Sequence, residues 1–180
     1  MRKFLSILIL IASTTGCHTV DFDPPAQMAS VAPISTPYQI TWVIPPDVLA
    51  EDFSMRSAWT GIANKWTVPI GEVLHQYTQS LVAPRFYGSV VSNYDPGQGR
   101  VLTIRITHYL VDSRDHHAEI GLRVEDRAHT GFVEYRDFSG SSDKRMAMGV
   151  LGAKGAIRKS TDAALRAALD GLAFWIASRH

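Results

Sequence analysis

Residues 101–125 read VLTIRITHYLVDSRDHHAEIGLRVE, and this stretch decides the fold. Leu102, Ile104, Ile106 and Leu110 fall on one side of an alternating run, with Thr103, Arg105, Thr107 and Tyr109 on the other. A period of two marks a strand with one buried and one wetter face. After the polar run Asp112 to His117 the pattern resumes, with Ala118, Ile120, Leu122 and Val124 inward and Glu119, Arg123 and Glu125 outward. Two such runs joined by a short polar segment make an antiparallel hairpin.

Outward from the hairpin, Tyr38 to Val43 alternates β-branched and aromatic residues until Pro45-Pro46 stops it. Phe86 to Ser92 reads as a short apolar strand, and Asp95-Pro96-Gly97-Gln98-Gly99 as a turn. Gly131 to Phe138 reads as a last strand near an edge, where Glu134 and Arg136 discourage further pairing. Ile70, Val73, Leu74, Tyr77 and Leu81 recur at helical spacing, with Thr67 as N-cap, Pro69 in the first turn and Pro84 as the stop. Ile157, Thr161, Ala164, Leu165, Ala168, Leu169, Leu172, Trp175 and Ile176 form a second helical stripe of about 20 residues. Trp59 and Trp66 lie where periodicity is ambiguous. They are expected to fold onto the core, because exposing two indoles forfeits several kcal/mol at ~25 cal/mol per Å². The expected fold is α+β: a small, mainly antiparallel sheet of about four strands with two helices packed on one face, in the order β-α-β-β-β-α.

The N-terminus speaks to location. Arg2 and Lys3 precede an apolar run from Phe4 to Ala12 broken only by Ser6, and Thr14-Thr15-Gly16-Cys17 closes it. The run is too short to span a membrane as a mature helix. Cys17 is the only cysteine, so no internal disulfide can form. This segment resembles the signal sequence and lipobox of bacterial lipoproteins, most specifically at Gly16-Cys17, with Thr14 where that family most often carries leucine. The resemblance implies a signal peptide over residues 1–16 and a Cys17 that is lipidated with palmitate-type chains and heads the mature protein. Three chains would make the anchor effectively permanent. His18, in place of aspartate, is similar to lipoproteins sorted to the outer membrane facing the periplasm. Residues 18–37, rich in Pro, Ala, Ser and Thr, read as a flexible tether, so 17–37 is anchor and tether and 38–180 a single periplasmic domain.

The chain carries 18 basic and 17 acidic residues, a net charge of +1, and losing Arg2 and Lys3 leaves −1. That balance argues against a nucleic-acid partner.

Chemistry-bearing groupings are few. His108, Asp112, Asp115, His116 and His117 form the one histidine–carboxylate cluster, but adjacent histidines point to opposite faces if extended. No HExxH, paired-cysteine or facial-triad spacing accompanies them, so a solvated hairpin loop is the expectation. Ser139-Gly140-Ser141-Ser142-Asp143 lacks the strand–elbow–helix setting of a nucleophile. Gly149 to Gly155 is glycine-rich before a helix but lacks the Gly-Lys-Ser/Thr ending of a phosphate loop, and reads as a flexible or close-packed helix entry. Arg158 and Lys159 near that helix start oppose its dipole, and an anionic partner would relieve them. Trp175 reads as core. Tyr109, outward with Thr103, Arg105 and Thr107, reads as part of a solvated face that could border a recognition surface. No catalytic, cofactor-binding or metal-binding residue is assigned, and Cys17, as the lipidation site, is the one functional residue.

The lipobox, the tether, the Trp66-x-x-Pro69 entry into an amphipathic helix, the hairpin and the closing Ala-Leu-rich helix together resemble ABC-type transport auxiliary lipoproteins. Around Gly155-Ala156-Ile157 and residues 163–172 the chain also looks like the YajG-type lipoproteins. The pattern covers residues 38–177, with residue-level matches at the lipobox and Trp66-x-x-Pro69, while the Gly149 to Gly155 segment is longer and richer in glycine. This resemblance implies a noncatalytic accessory component of an envelope transport system, for lipid or of ABC type. Its partners would be envelope proteins and its ligand an acyl chain or lipid. The alternative, similar to LPS-assembly lipoproteins, is a structural or assembly lipoprotein bracing an outer-membrane complex. A third class is a hydrolase or metal enzyme built on residues 108–117.

Overall fold

The computed structural model describes residues 16–23, 33–56, 64–144 and 149–179. The expected signal peptide up to residue 15, the middle of the tether and Trp59 lie outside these residues. In chain order the elements are β1 (Cys17–Thr19), β2 (Ile40–Val43), α1 (Pro46–Leu49), β3 (Phe53–Arg56), β4 (Lys65–Val68), α2 (Ile70–Tyr77), β5 (Val90–Ser92), β6 (Arg100–Val111), β7 (Ala118–Arg127), β8 (Val133–Ser141) and α3 (Gly149–Ala177).

The expected single sheet of about four strands with two helices is corrected: there are two mixed sheets and three helices among the described residues. The larger sheet has the order β5-β2-β6-β7-β8. β2 runs parallel to both β5 and β6, while β6, β7 and β8 form the antiparallel meander. The smaller sheet has the order β1-β4-β3, with β1 parallel and β3 antiparallel to β4. Its strands are three or four residues long, too short for alternation to stand out. Thr67, expected to cap α2, lies inside β4, and Pro69 takes the cap position.

A β-bulge between Ile106 and His108 overturns the expected facing of the last part of β6. Thr107 and His108 both project onto the open face, so the alternation beyond them is inverted. Tyr109 turns to the core side, and its hydroxyl shares a hydrogen bond with Thr161 of α3, while Leu110 is 53% exposed. Gly121 opposite the bulge has no side chain to collide with: a Cβ there would sit 2.3 Å from the His108 ring and 2.5 Å from Thr107 Oγ1.

Both α2 and α3 contribute to one core. Ile70, Val73, Leu74, Tyr77 and Leu81 are buried as their spacing predicts, and so are the residues of the C-terminal stripe. The Tyr77 hydroxyl donates to Asp162 at 2.6 Å, linking the two helices. Burial, then that hydrogen bond, pushes the Tyr77 hydroxyl well above its ordinary pKa. Trp42 and Trp66 are fully buried. At ~25 cal/mol per Å², each indole contributes roughly 4–6 kcal/mol before entropy is counted.

α3 is 29 residues long and absorbs the Gly149 to Gly155 segment, so the loop-like entry expected there is corrected. Helix propensity there is carried by tertiary packing rather than by the local residues. Ala153, Ala156 and Ile157 are buried. Gly140 of β8 lets α3 descend onto the sheet, since a Cβ there would lie 1.9 Å from the Ala164 carbonyl oxygen. Gly155 has open space around its Cβ position. Thermal unfolding should therefore separate the two glycines. Gly140→Ala is expected to cost about 2–3 kcal/mol through forced displacement of the helix, whereas Gly155→Ala is expected to add up to about 1 kcal/mol.

Candidate functional site

Cys17, the predicted lipidation site, is exposed and opens β1. It pairs with Lys65 of β4, which pairs in turn with Arg56 of β3. One strand step further, Thr19, Thr67 and Ser54 form the next row, and the Ser54 and Thr67 hydroxyls are 3.3 Å apart. Neighbours across a sheet share a face. Five of these six residues, Cys17, Thr19, Lys65, Arg56 and Ser54, are exposed, and Thr67 is half-buried.

The inward face holds this sheet to the body. His18 lies over Trp66 with ring centroids 4.9 Å apart, and its Nε2 is 3.1 Å from Asn64 Oδ1. Val20 is fully buried and its N–H donates to the Thr67 carbonyl at 2.9 Å. Phe22 packs against the core. Lys154 donates to Asp21 at 2.6 Å and Arg158 to Asp23 at 3.2 Å. The hydrogen bond from Lys154, then its charge, holds the Asp21 carboxyl below its usual pKa.

Residues 17–23 thus lie on the domain where a flexible tether was expected. Further along, Ile34 bridges to Phe86, its N–H donating to the Arg85 carbonyl at 2.8 Å. The physical reason is visible in the sequence: Val20 and Phe22 alternate with Asp21 and Asp23, and the two aspartates match Lys154 and Arg158, one helical turn apart. Of Arg158 and Lys159, Arg158 meets an anionic partner in this segment, Asp23. Because the helix starts at Gly149, Arg158 and Lys159 lie beyond its first two turns, where the dipole argument no longer applies.

The histidine–carboxylate residues do not converge. His108 lies on the open face beside Gly121, His116 is fully buried with φ +53°, and His117 Nε2 is 3.1 Å from Glu119. Asp112 accepts from the Arg114 and Asp115 N–H groups, and Asp115 from that of His117, so both carboxylates brace the turn. Among the described residues no group of three or more His, Cys, Asp or Glu side chains could hold a metal ion. Ser139 and Ser141 lie in β8, and Ser142 accepts from the Ala118 N–H at 2.9 Å. Trp175 is buried, with the Arg179 guanidinium 4.4 Å above its ring.

Sequence reasoning missed Arg100 and Asp126. They form a buried bidentate pair, with Nε–Oδ1 3.0 Å and Nη2–Oδ2 2.6 Å, which ties the start of β6 to β7. The space between helices and large sheet, where an acyl chain was a candidate ligand, is filled by Leu165, Leu169, Leu102 and Ile120, each essentially inaccessible. One open cleft borders β5, about 590 Å³ and lined by Gln39, Thr41, Val90 and Tyr94 among others, and another lies over His108, Glu119 and Ser139.

The chain matches no family model and no curated protein sequence. Its class therefore rests on the fold: a two-sheet α+β domain whose exposed Cys17 begins β1.

Asp126→Ala removes the bidentate carboxylate contact of the buried Arg100 guanidinium and is expected to lower stability by up to about 3–5 kcal/mol. Asp137→Ala, which removes the exposed partner of Arg123, should leave the unfolding midpoint nearly unchanged. Denaturant titration of both variants checks the contrast.

Proposed function

We propose that this protein is a lipid-anchored, noncatalytic accessory component of a cell-envelope transport system, facing the periplasm from the outer membrane. The observation that carries the reading is the coincidence of the Gly16-Cys17 lipobox ending with an exposed cysteine at the first residue of β1. A modification there adds acyl chains outside the core, so anchoring and folding do not compete. The pattern resemblance to transport auxiliary lipoproteins supplies the transport role, with envelope proteins as partners and a lipid or acyl chain as the transported class.

A bracing role in an outer-membrane complex is the second reading. It is favoured by the outer edge of β8, the last strand of its sheet, where the exposed side chains of Val133 and Tyr135 lie beside that of Phe132. Such an edge can accept a strand from a partner.

Affinity purification of the intact protein from crosslinked membranes, with a Cys17→Ser control and mass spectrometry, tests the first reading against the second. Recovery of transporter or lipid-transfer subunits, lost in the control, is the expected outcome. Recovery of barrel proteins alone would replace transport with bracing.

A further inference from the structure

The outer face of the small sheet has a graded composition. Next to Cys17 stand Lys65 and Arg56, then the hydroxyl row Thr19, Thr67 and Ser54. Asp21 and Asp52 follow β1 and precede β3 at the end away from Cys17. The basic row is therefore the row that an anchor on Cys17 brings closest to a bilayer, and the acidic residues stand farthest from it. Val20, Phe22 and the Lys154–Asp21 contact fix β1 to the body, so the chain has no slack between the anchor and this face.

Resting on the reading of Cys17 as lipidated, we propose that the outer face of β1, β4 and β3 is the membrane-facing surface of the protein, with Lys65 and Arg56 set among anionic phospholipid headgroups. The chemistry is complementary: two long cationic side chains reach phosphates, and the hydroxyl row behind them donates hydrogen bonds at the interface. Cleavage before Cys17 need not undo the ladder. The Lys65 N–H donates to the Gly16 carbonyl at 3.0 Å, and an N-acyl amide on Cys17 carries a carbonyl at the same place. The domain thus sits on the membrane in one orientation. The far end of the β6–β7 hairpin, which carries Asp95 and its neighbours through the Arg127 contact, points away.

The test uses full-length acylated protein in phosphatidylethanolamine vesicles made with or without phosphatidylglycerol. A fluorophore is placed at Ser54→Cys or Tyr94→Cys, and headgroup-nitroxide lipid is the quencher. Ser54 is two strand spacings and one row from Cys17, roughly 12 Å, whereas Tyr94 follows β5, whose last residue Ser92 is level with Thr103, roughly 20 Å along β6 from Tyr109. Tyr109 is the residue that touches Phe53 of the small sheet. Quenching at Ser54 should exceed that at Tyr94 by about fivefold or more with phosphatidylglycerol present, and the ratio should fall by about fivefold for each of Lys65→Glu and Arg56→Glu. Circular dichroism of these variants confirms that they are folded. Equal quenching at both positions in vesicle-bound, acylated protein would overturn the orientation and leave the anchor reading standing. Absence of acyl mass at Cys17 would overturn both.

Discussion

The bulge at Thr107 and His108 is the constraint on which the rest of the structure depends. One extra residue in β6 inverts the facing of the strand beyond it, and the residue thereby turned inward is Tyr109. Its ring meets Phe53 of β3 edge-on at 4.9 Å, and its hydroxyl meets Thr161 of α3. A single side chain thus joins the large sheet, the small sheet and the long helix. In the same cross-strand row Ile120 and Gly140 follow, and at Gly140 the helix backbone comes down onto the sheet. The row descends from a large aromatic to no side chain at all, and the helix backbone is closest to the sheet at its glycine end.

That junction also positions Cys17. The small sheet is held by Tyr109, Trp66, Val68 and Val20, and β1 is one of its two edge strands. A cysteine at the start of an edge strand is attached to the body by a parallel ladder, a buried valine and two ion pairs rather than by loose chain. Lipid on such a residue would hold the whole domain at a defined angle. A flexible tether would leave the reach of the domain to chain statistics; a docked strand makes the choice of partner a matter of which surfaces the orientation leaves open. The large apolar side chains left exposed on the body are those of Tyr87, Val90 and Tyr94 near β5 and Phe132, Val133 and Tyr135 near β8, among others.

The long elements were legible because their periodicity is long. Leu102 to Ile106, Ala118 to Val124 and the stripe from Ile157 to Ile176 lie as their patterns predict, and α2 buries the face its spacing defines. What was not legible was short or non-local. β3 and β4 have four residues each, and β1 gains its structure from Lys65 and Thr67 far along the chain. The facing of Tyr109 could not follow from alternation, because the bulge depends on Gly121 in the neighbouring strand. The glycines at the start of α3 argued locally against helix, and packing of Ala153, Ala156 and Ile157 outweighed them. At the candidate site, the motif at Gly16-Cys17 is local sequence, whereas the basic row beside it exists only once β4 and β3 are paired.

Hydrogen–deuterium exchange on the full-length protein tests the central claim, that residues 17–23 are part of the fold, most directly. The account predicts that the Val20 amide, which donates to Thr67, is protected to the same degree as the amides of β4. Exchange over residues 17–23 at the rate of free chain, with β4 and α3 still protected, would contradict it.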